Sequence, residues 1–294
     1  MIKKIKLGIF NILRHYVKSY VTGNLGKVVE KDDYLVCYVK KGKIKNHKFH
    51  NYITCPGIKE KDKELAKIYK LYKKVYYIFD DLDFNNNEIT IFGYGDNSEI
   101  VIKNCKFNYG LTINALGNCT VDNCYIASQC NLNFHAKNLT FKNMDVNNTL
   151  KYAGFDLQVS FNAEENLSLE NCNIGKMNEK IKVFLYSLQN INLFNTKIVA
   201  DIVKCSTKTL DSHNSSSVKA KEKIEIEGKI LNNLSMVASV IVSKDEITSK
   251  RIELIDRLKN IRDKCLRING KKVKKYEKEL NNVSVKRVLK NKNV

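Results

Sequence analysis

The sequence predicts a mainly β protein, a single-stranded right-handed parallel β-helix of about six coils with α-helical N- and C-terminal flanks. Three observations carry that expectation. A phrase recurs along the middle of the chain, as "NCTVDNCYI" from residue 118, "NLTFKNMDV" from 138, "NLSLENCNI" from 166 and "NINLFNTKI" from 190. Within each phrase apolar residues alternate with polar ones, as in Leu167, Leu169, Cys172 and Ile174, which is the period of a short strand with one row turned inward. The alternation changes phase at the second Asn, which marks a corner rather than a continuing strand. With 294 residues, 43% of them hydrophobic, the chain has enough apolar material to fill the inside of such a stack.

The longer units are "LTINALGNCTVDNCYI" from 111, "LNFHAKNLTFKNMDV" from 132, "VSFNAEENLSLENCNI" from 159 and "VFLYSLQNINLFNTKI" from 183. An earlier unit begins at Ile89, and a degenerate one ends in "IEIEGKIL" at 224–231. Aligned on the corner, they place it at Asn104, Asn123, Asn143, Asn171, Asn195 and Gly228, at intervals of 19, 20, 28, 24 and 33 residues. A tight corner between two strands needs a residue that enters the left-handed region, and Asn and Gly do so at least cost. Coils stacked at roughly 4.8 Å bring Asn above Asn, within reach of an amide ladder. Cys105, Cys124, Met144, Cys172 and Thr196 follow the corner directly and are expected to fill the interior beside it. The Ser-rich stretch "STKTLDSHNSSS" (206–217) reads as an extended loop that lengthens the last interval.

Through its "I-x-I-x-N-C-x-I" phrases over roughly residues 85–231, the sequence resembles the right-handed parallel β-helix superfamily, the pectate-lyase-like folds. The resemblance covers about half of the chain and implies an architecture only, since this fold hosts enzymes, phage fibres, adhesins and cytoplasmic scaffolds. Enzymes of that superfamily remove a proton from an acidic sugar with a basic residue, often Arg, while carboxylates hold calcium; related hydrolases group Asp residues. Here no Arg occurs between Arg14 and Arg251, and Lys137, Lys142 and Lys182 have no recurring carboxylate pair in strand register. Asp80, Asp81 and Asp83 read as the solvated edge of the first coil, and His213 in its Ser-rich stretch lacks a nucleophile elbow. No catalytic residue, cofactor or metal ligand set is assigned.

Around the repeats the chain divides into 1–22, a basic amphipathic helix; 23–84, a strand and helix cap leading into the first coil; 85–243, the β-helix; and 244–294, basic C-terminal helices. Leu65, Ile68, Tyr72 and Val75 have helical spacing in the cap. At the other end "SKDE" (243–246) fits a capping box, and Ile247, Leu254, Leu258, Ile261 and Cys265 fit one face of a helix ending near Gly270. In the first segment Ile2, Ile5, Ile9, Leu13, Tyr16 and Tyr20 gather on one side, with Lys3, Lys4, Arg14 and Lys18 opposite or at the margin. That pattern suits a helix lying on an anionic membrane surface and suits equally one packed on the β-helix or on a partner protein.

The net charge of +20 lies in the flanks: residues 1–74 carry 19 basic and 6 acidic groups, residues 75–243 carry 15 and 18, and residues 244–294 carry 17 and 7. The repeats are thus nearly neutral, and with no helix-turn-helix, zinc finger or RNP-like phrase, nucleic acid is set aside as a partner. Nine cysteines without CxxC pairing point to free thiols in a reducing cytoplasm. No stretch approaches the ~18 apolar residues of a spanning helix, and no cleavable signal is evident.

One outward row stands apart: Phe92, Asn114, His135, Asn162 and Tyr186 fall at equivalent positions of successive units. Aromatics, amides and a histidine in a row suit a glycan, and polar residues also suit any exposed face. The function expected from these features is that of a non-enzymatic, cytoplasmic, bacterial β-helix scaffold or interaction protein. Its expected partner is an unknown protein or an anionic membrane surface, the latter peripheral to the inner membrane face through residues 1–20. The alternative is a carbohydrate-binding or polysaccharide-degrading protein, of enzyme or phage-particle class, with a glycan as its ligand.

Overall fold

The computed structural model describes residues 25–31, 34–40, 50–56, 73–84, 88–149, 156–176, 178–232, 234–243, 251–254, 265–268, 271–272 and 283–284. They form a right-handed parallel β-solenoid whose turns each lay one strand on each of three faces. The first face stacks Tyr34–Val39, Lys74–Asp80, Ser98–Lys103 and Cys119–Asp122, then 138–142, 166–170, Asn190–Phe194, 209–213 and 229–232. The second face follows the Asn corner, from Asp83–Phe84, Lys106–Phe107 and Tyr125–Ser128 to Ser235–Ala238 and Arg251–Leu254. The third runs from His50–Pro56, Glu88–Tyr94 and Gly110–Ala115 through 132–136, 157–163 and Ile181–Ser187 to Val240–Ser243 and Cys265–Ile268. Parallel pairing therefore reaches from Tyr34 to Ile268, beyond both ends of the stretch whose repeats are legible in the sequence.

Alternation turns every second side chain inward, and these stack into a continuous core. At its centre Phe134 and Phe161 from the third face meet Phe141 from the first, with ring centroids 4.9 to 5.2 Å apart. The corner residues Asn104, Asn123, Asn143, Asn171 and Asn195 have φ between 46° and 54°. Their amides link the coils: Asn123 Nδ2 donates to Asn104 Oδ1 at 2.7 Å, Asn171 Nδ2 to Asn143 Oδ1 at 3.2 Å and Asn195 Nδ2 to Asn171 Oδ1 at 3.0 Å. Asn104 and Asn143 turn instead to carboxylates, Asp80 Oδ1 at 2.9 Å and Asp122 Oδ1 at 2.8 Å.

The residue after the corner has a second task. At three corners its backbone N–H points along the stack, and the side chain one coil onward accepts from it: Cys105 N–H donates to Cys124 Sγ at 3.3 Å, Cys172 N–H to Thr196 Oγ1 at 3.3 Å and Thr196 N–H to Ser216 Oγ at 3.1 Å. The same thiols and hydroxyls donate to the carbonyl two residues back, Cys105 Sγ to Lys103 O at 3.1 Å and Thr196 Oγ1 to Phe194 O at 3.1 Å. Cys, Thr and Ser recur here because a buried corner needs a small side chain that donates and accepts. Burial pushes the Cys172 thiol up to about 12. The eight cysteines from Cys37 to Cys205 are free thiols.

Gly228 is not an Asn-type corner. It lies between the third and first faces, with φ 129°, and a Cβ there would meet Thr207 O at 1.9 Å, so close backbone approach is what demands glycine. Asn214 and Asn232, with φ of 47° and 63°, hold the corner in those coils. The 33-residue interval thus contains two coils where one was expected. The Ser-rich stretch 206–217 is likewise not an extended loop. Most of it belongs to the 17-residue strand Lys197–His213, which bends through all three faces, and Ser216 caps the corner by donating to His213 O at 2.8 Å.

The helical flanks meet a further correction. Arg251–Leu254 and Cys265–Ile268 are strands in parallel register with Ser235–Ala238 and Val240–Ser243, so Leu254 and Cys265 do not share a helix face. Open ladder edges present backbone groups that pair with the next segment, and that tertiary demand overrides a helical spacing. Val75, assigned by its spacing to the cap helix, starts inward-facing alternation in Lys74–Asp80 instead. The remainder of the expected cap helix and the amphipathic segment 1–22 lie outside the described residues. Antiparallel strands flank the stack at both ends: Gly26–Glu30 on Tyr34–Val39, Val283–Ser284 on Arg251–Leu254 and Lys271–Lys272 on Cys265–Ile268. Reversing strand direction stops the repeat from templating another coil.

Candidate functional site

The third face brings Phe92, Asn114, His135, Asn162 and Tyr186 into one outward row in unbroken register. Thr54 extends it by one coil toward the N-terminal end. A second row beside it runs Tyr52, Thr90, Thr112, Asn133, Ser160 and Phe184, of which Thr90 is buried. Across six coils these two rows hold aromatic, hydroxyl and amide side chains and the imidazole of His135, with no carboxylate, Lys or Arg among them. Charge returns one coil later, where Lys204 lies beside Glu225 at 3.7 Å. At a coil spacing of roughly 4.8 Å, the row from Phe92 to Tyr186 is about 19 Å long.

Aromatic rings bracket this strip. Tyr52, Phe92 and Tyr94 stand near-parallel at the N-terminal end, with centroids 6.0 Å apart and interplanar angles of 16° and 12°. Tyr52 and Tyr94 are 55% and 53% exposed, and Tyr186 at the far end is 41% exposed. Between them the side chains of Asn114, Asn133 and Asn162 have no hydrogen-bond partner among the described residues. The Asn residues at the corners behave oppositely. A second ladder, unforeseen in the sequence, joins Asn118, Asn138, Asn166 and Asn190 between the third and first faces, with N···O distances of 3.1, 2.9 and 2.9 Å. Its signal was the first Asn of each recurring phrase. His135 Nε2 lies 3.6 Å from Glu164 Oε1, and both side chains are exposed.

Two members of the site were not singled out from sequence. Tyr52 fell within the stretch assigned to the cap, and Tyr94 lies two residues after Phe92, a spacing that puts both on one face of a strand. Extra chain length also gathers at this face. The 24-residue interval takes its extra length between the second face and the third, near Lys176 and Glu179. This connection is pinned: Glu179 Oε2 accepts from Asn148 N–H and from Lys176 N–H, each at 3.1 Å, while Lys221 Nζ reaches Glu179 O at 2.7 Å and Asp201 Oδ1 at 2.6 Å.

Among the described residues no group of three or more His, Cys, Asp or Glu is arranged to hold a metal ion, and no helix is long and apolar enough to cross a membrane. Ile2, Ile5, Ile9, Leu13, Tyr16 and Tyr20 lie outside the described residues. No family model, curated protein or solved structure matches this chain.

Proposed function

We infer that the chain is a non-enzymatic interaction module, a rigid β-solenoid that offers the third face as its recognition surface. The observation that carries this reading is the uncharged strip two residues wide, bracketed by exposed rings and lined by amides that are not used to hold the coils together. A fixed solenoid suits recognition because its strands hold such groups in place before a ligand arrives, which lowers the ordering cost of binding. Hydrolysis would ask for acid and base groups converging within hydrogen-bond reach of one bond. His135 and Glu164, exposed side by side at 3.6 Å, instead suit a surface ion pair or a ligand hydrogen bond. Unpaired and mostly buried thiols support a reducing compartment.

A photo-crosslinking amino acid placed at position 114 on the third face, with position 140 on the first face as control, tests the assignment of the surface. Adducts formed in native extract at 114 and not at 140 are expected. Equal yields at both positions, or none at either, would overturn the choice of face.

A further inference from the structure

We propose that the third face binds an uncharged glycan chain laid along the solenoid axis, with sugar rings stacked at Tyr52, Phe92 and Tyr94 at one end and Tyr186 at the other. This rests on the third face being the recognition surface and names its ligand class. Three features select that class. The apolar part of the strip is aromatic and interrupted, the form that stacks on the C–H faces of sugar rings; a protein partner would call for a contiguous apolar centre. The polar part consists of amides and hydroxyls that both donate and accept, and sugar hydroxyls do the same. The side chains of Asn114, Asn133 and Asn162 lack partners among the described residues, so binding need not first break an internal hydrogen bond.

Charge excludes the neighbouring classes. A polyuronate or nucleic acid needs Lys or Arg along its track, and the two rows contain neither from Tyr52 to Tyr186. The length agrees as well, since about 19 Å between Phe92 and Tyr186 accommodates several linked sugars. The bracket of rings with amides between them therefore suits a chain better than a single sugar.

Affinity electrophoresis of the full chain tests this in native gels containing mixed-linkage β-glucan, a starch-type α-glucan or galactomannan, with polygalacturonate and alginate as acidic comparisons, each at low and high salt. Retardation by at least one neutral polymer is expected, unchanged by salt. Tyr94→Ala and Tyr186→Ala should each weaken it about five- to tenfold, while Tyr125→Ala on the second face leaves it intact. Unchanged melting temperatures of the three variants show that folding is not the cause, as these side chains are exposed. Retardation only by acidic polymers, lost at high salt, would assign binding to the basic flanks and overturn the proposal. Absence of retardation by every neutral polymer, or retardation that survives both Tyr variants, would overturn it too. If adducts at position 114 persist in those cases, the third face remains the recognition surface and the glycan alone is wrong.

Discussion

The first and third faces share one strand period, one core and one coil spacing, yet use their outward positions in opposite ways. On the first face Asp80, Lys103, Asp122, Lys142 and Glu170 form a single row of alternating sign. Lys103 meets Asp80 at 2.9 Å and Lys142 meets Glu170 at 2.9 Å, and hydrogen bonds from Lys103 and Asn104 hold the Asp80 carboxyl below its usual range. Each of these side chains faces a neighbour one coil away, so the face is internally committed and favours one order of stacking. On the third face the matching rows carry no such alternation. The lesson is that recognition is found where outward groups are not used to hold coil to coil.

The largest effect is expected where the two faces touch inside. Phe161→Ala removes a ring packed against both Phe134 and Phe141 and should cost about 3 to 5 kcal/mol in urea unfolding. Asn143→Val, at the corner that closes the first face, should cost about 1 to 2 kcal/mol through left-handed strain. Asn114→Val on the third face should stay within about 0.5 kcal/mol. Equal losses for the two Asn variants would erase the distinction between committed and uncommitted amides.

Lys142→Glu places a third carboxylate between Asp122 and Glu170 and should destabilise by about 0.5 to 1 kcal/mol, an effect that salt reduces because the row is partly exposed. A matching Asn133→Glu on the third face should be near neutral in the same measurement. The smallest effect is acid lability. Asp80, held down first by Lys103, Glu165, held down first by Asn138, and Glu225, held down first by Lys223, have folded values below their ordinary 3.8 or 4.5. Their contribution is present above those ordinary values and is lost as pH falls through the lowered ones. Melting temperature should therefore decline modestly below about pH 4.5. The decline should shrink when Lys103 and Asp80 are replaced together by Thr. An unchanged profile in that double variant would separate the acid response from the charged row.

The architecture was legible because its corners are chemically narrow. Few residues tolerate the left-handed region, so Asn104, Asn123, Asn143, Asn171 and Asn195 announce themselves at fixed places. Asn214 was hidden by company: flanked by His213 and three serines, it reads as loop composition, though Ser216 performs the same capping as Thr196. The strands at Arg251–Leu254 and Cys265–Ile268 were hidden for another reason, since pairing with an open edge is a property of the stack and not of the local pattern. At the candidate site, the row from Phe92 to Tyr186 follows from period and register alone. The parallel setting of Tyr52, Phe92 and Tyr94 does not, because it depends on where the coil preceding the legible repeats lies.

The column of Cys, Thr and Ser behind the corners has a consequence for how the molecule is made. Three N–H groups just after the corners are received by a side chain of the following coil, Cys105 N–H by Cys124, Cys172 N–H by Thr196 and Thr196 N–H by Ser216. Until its successor is in place, such a coil holds a corner N–H with no protein acceptor, so each of these corners is completed from the C-terminal side. The last coil laid down then stays the least secured until the antiparallel strands at Lys271–Lys272 and Val283–Ser284 have been added.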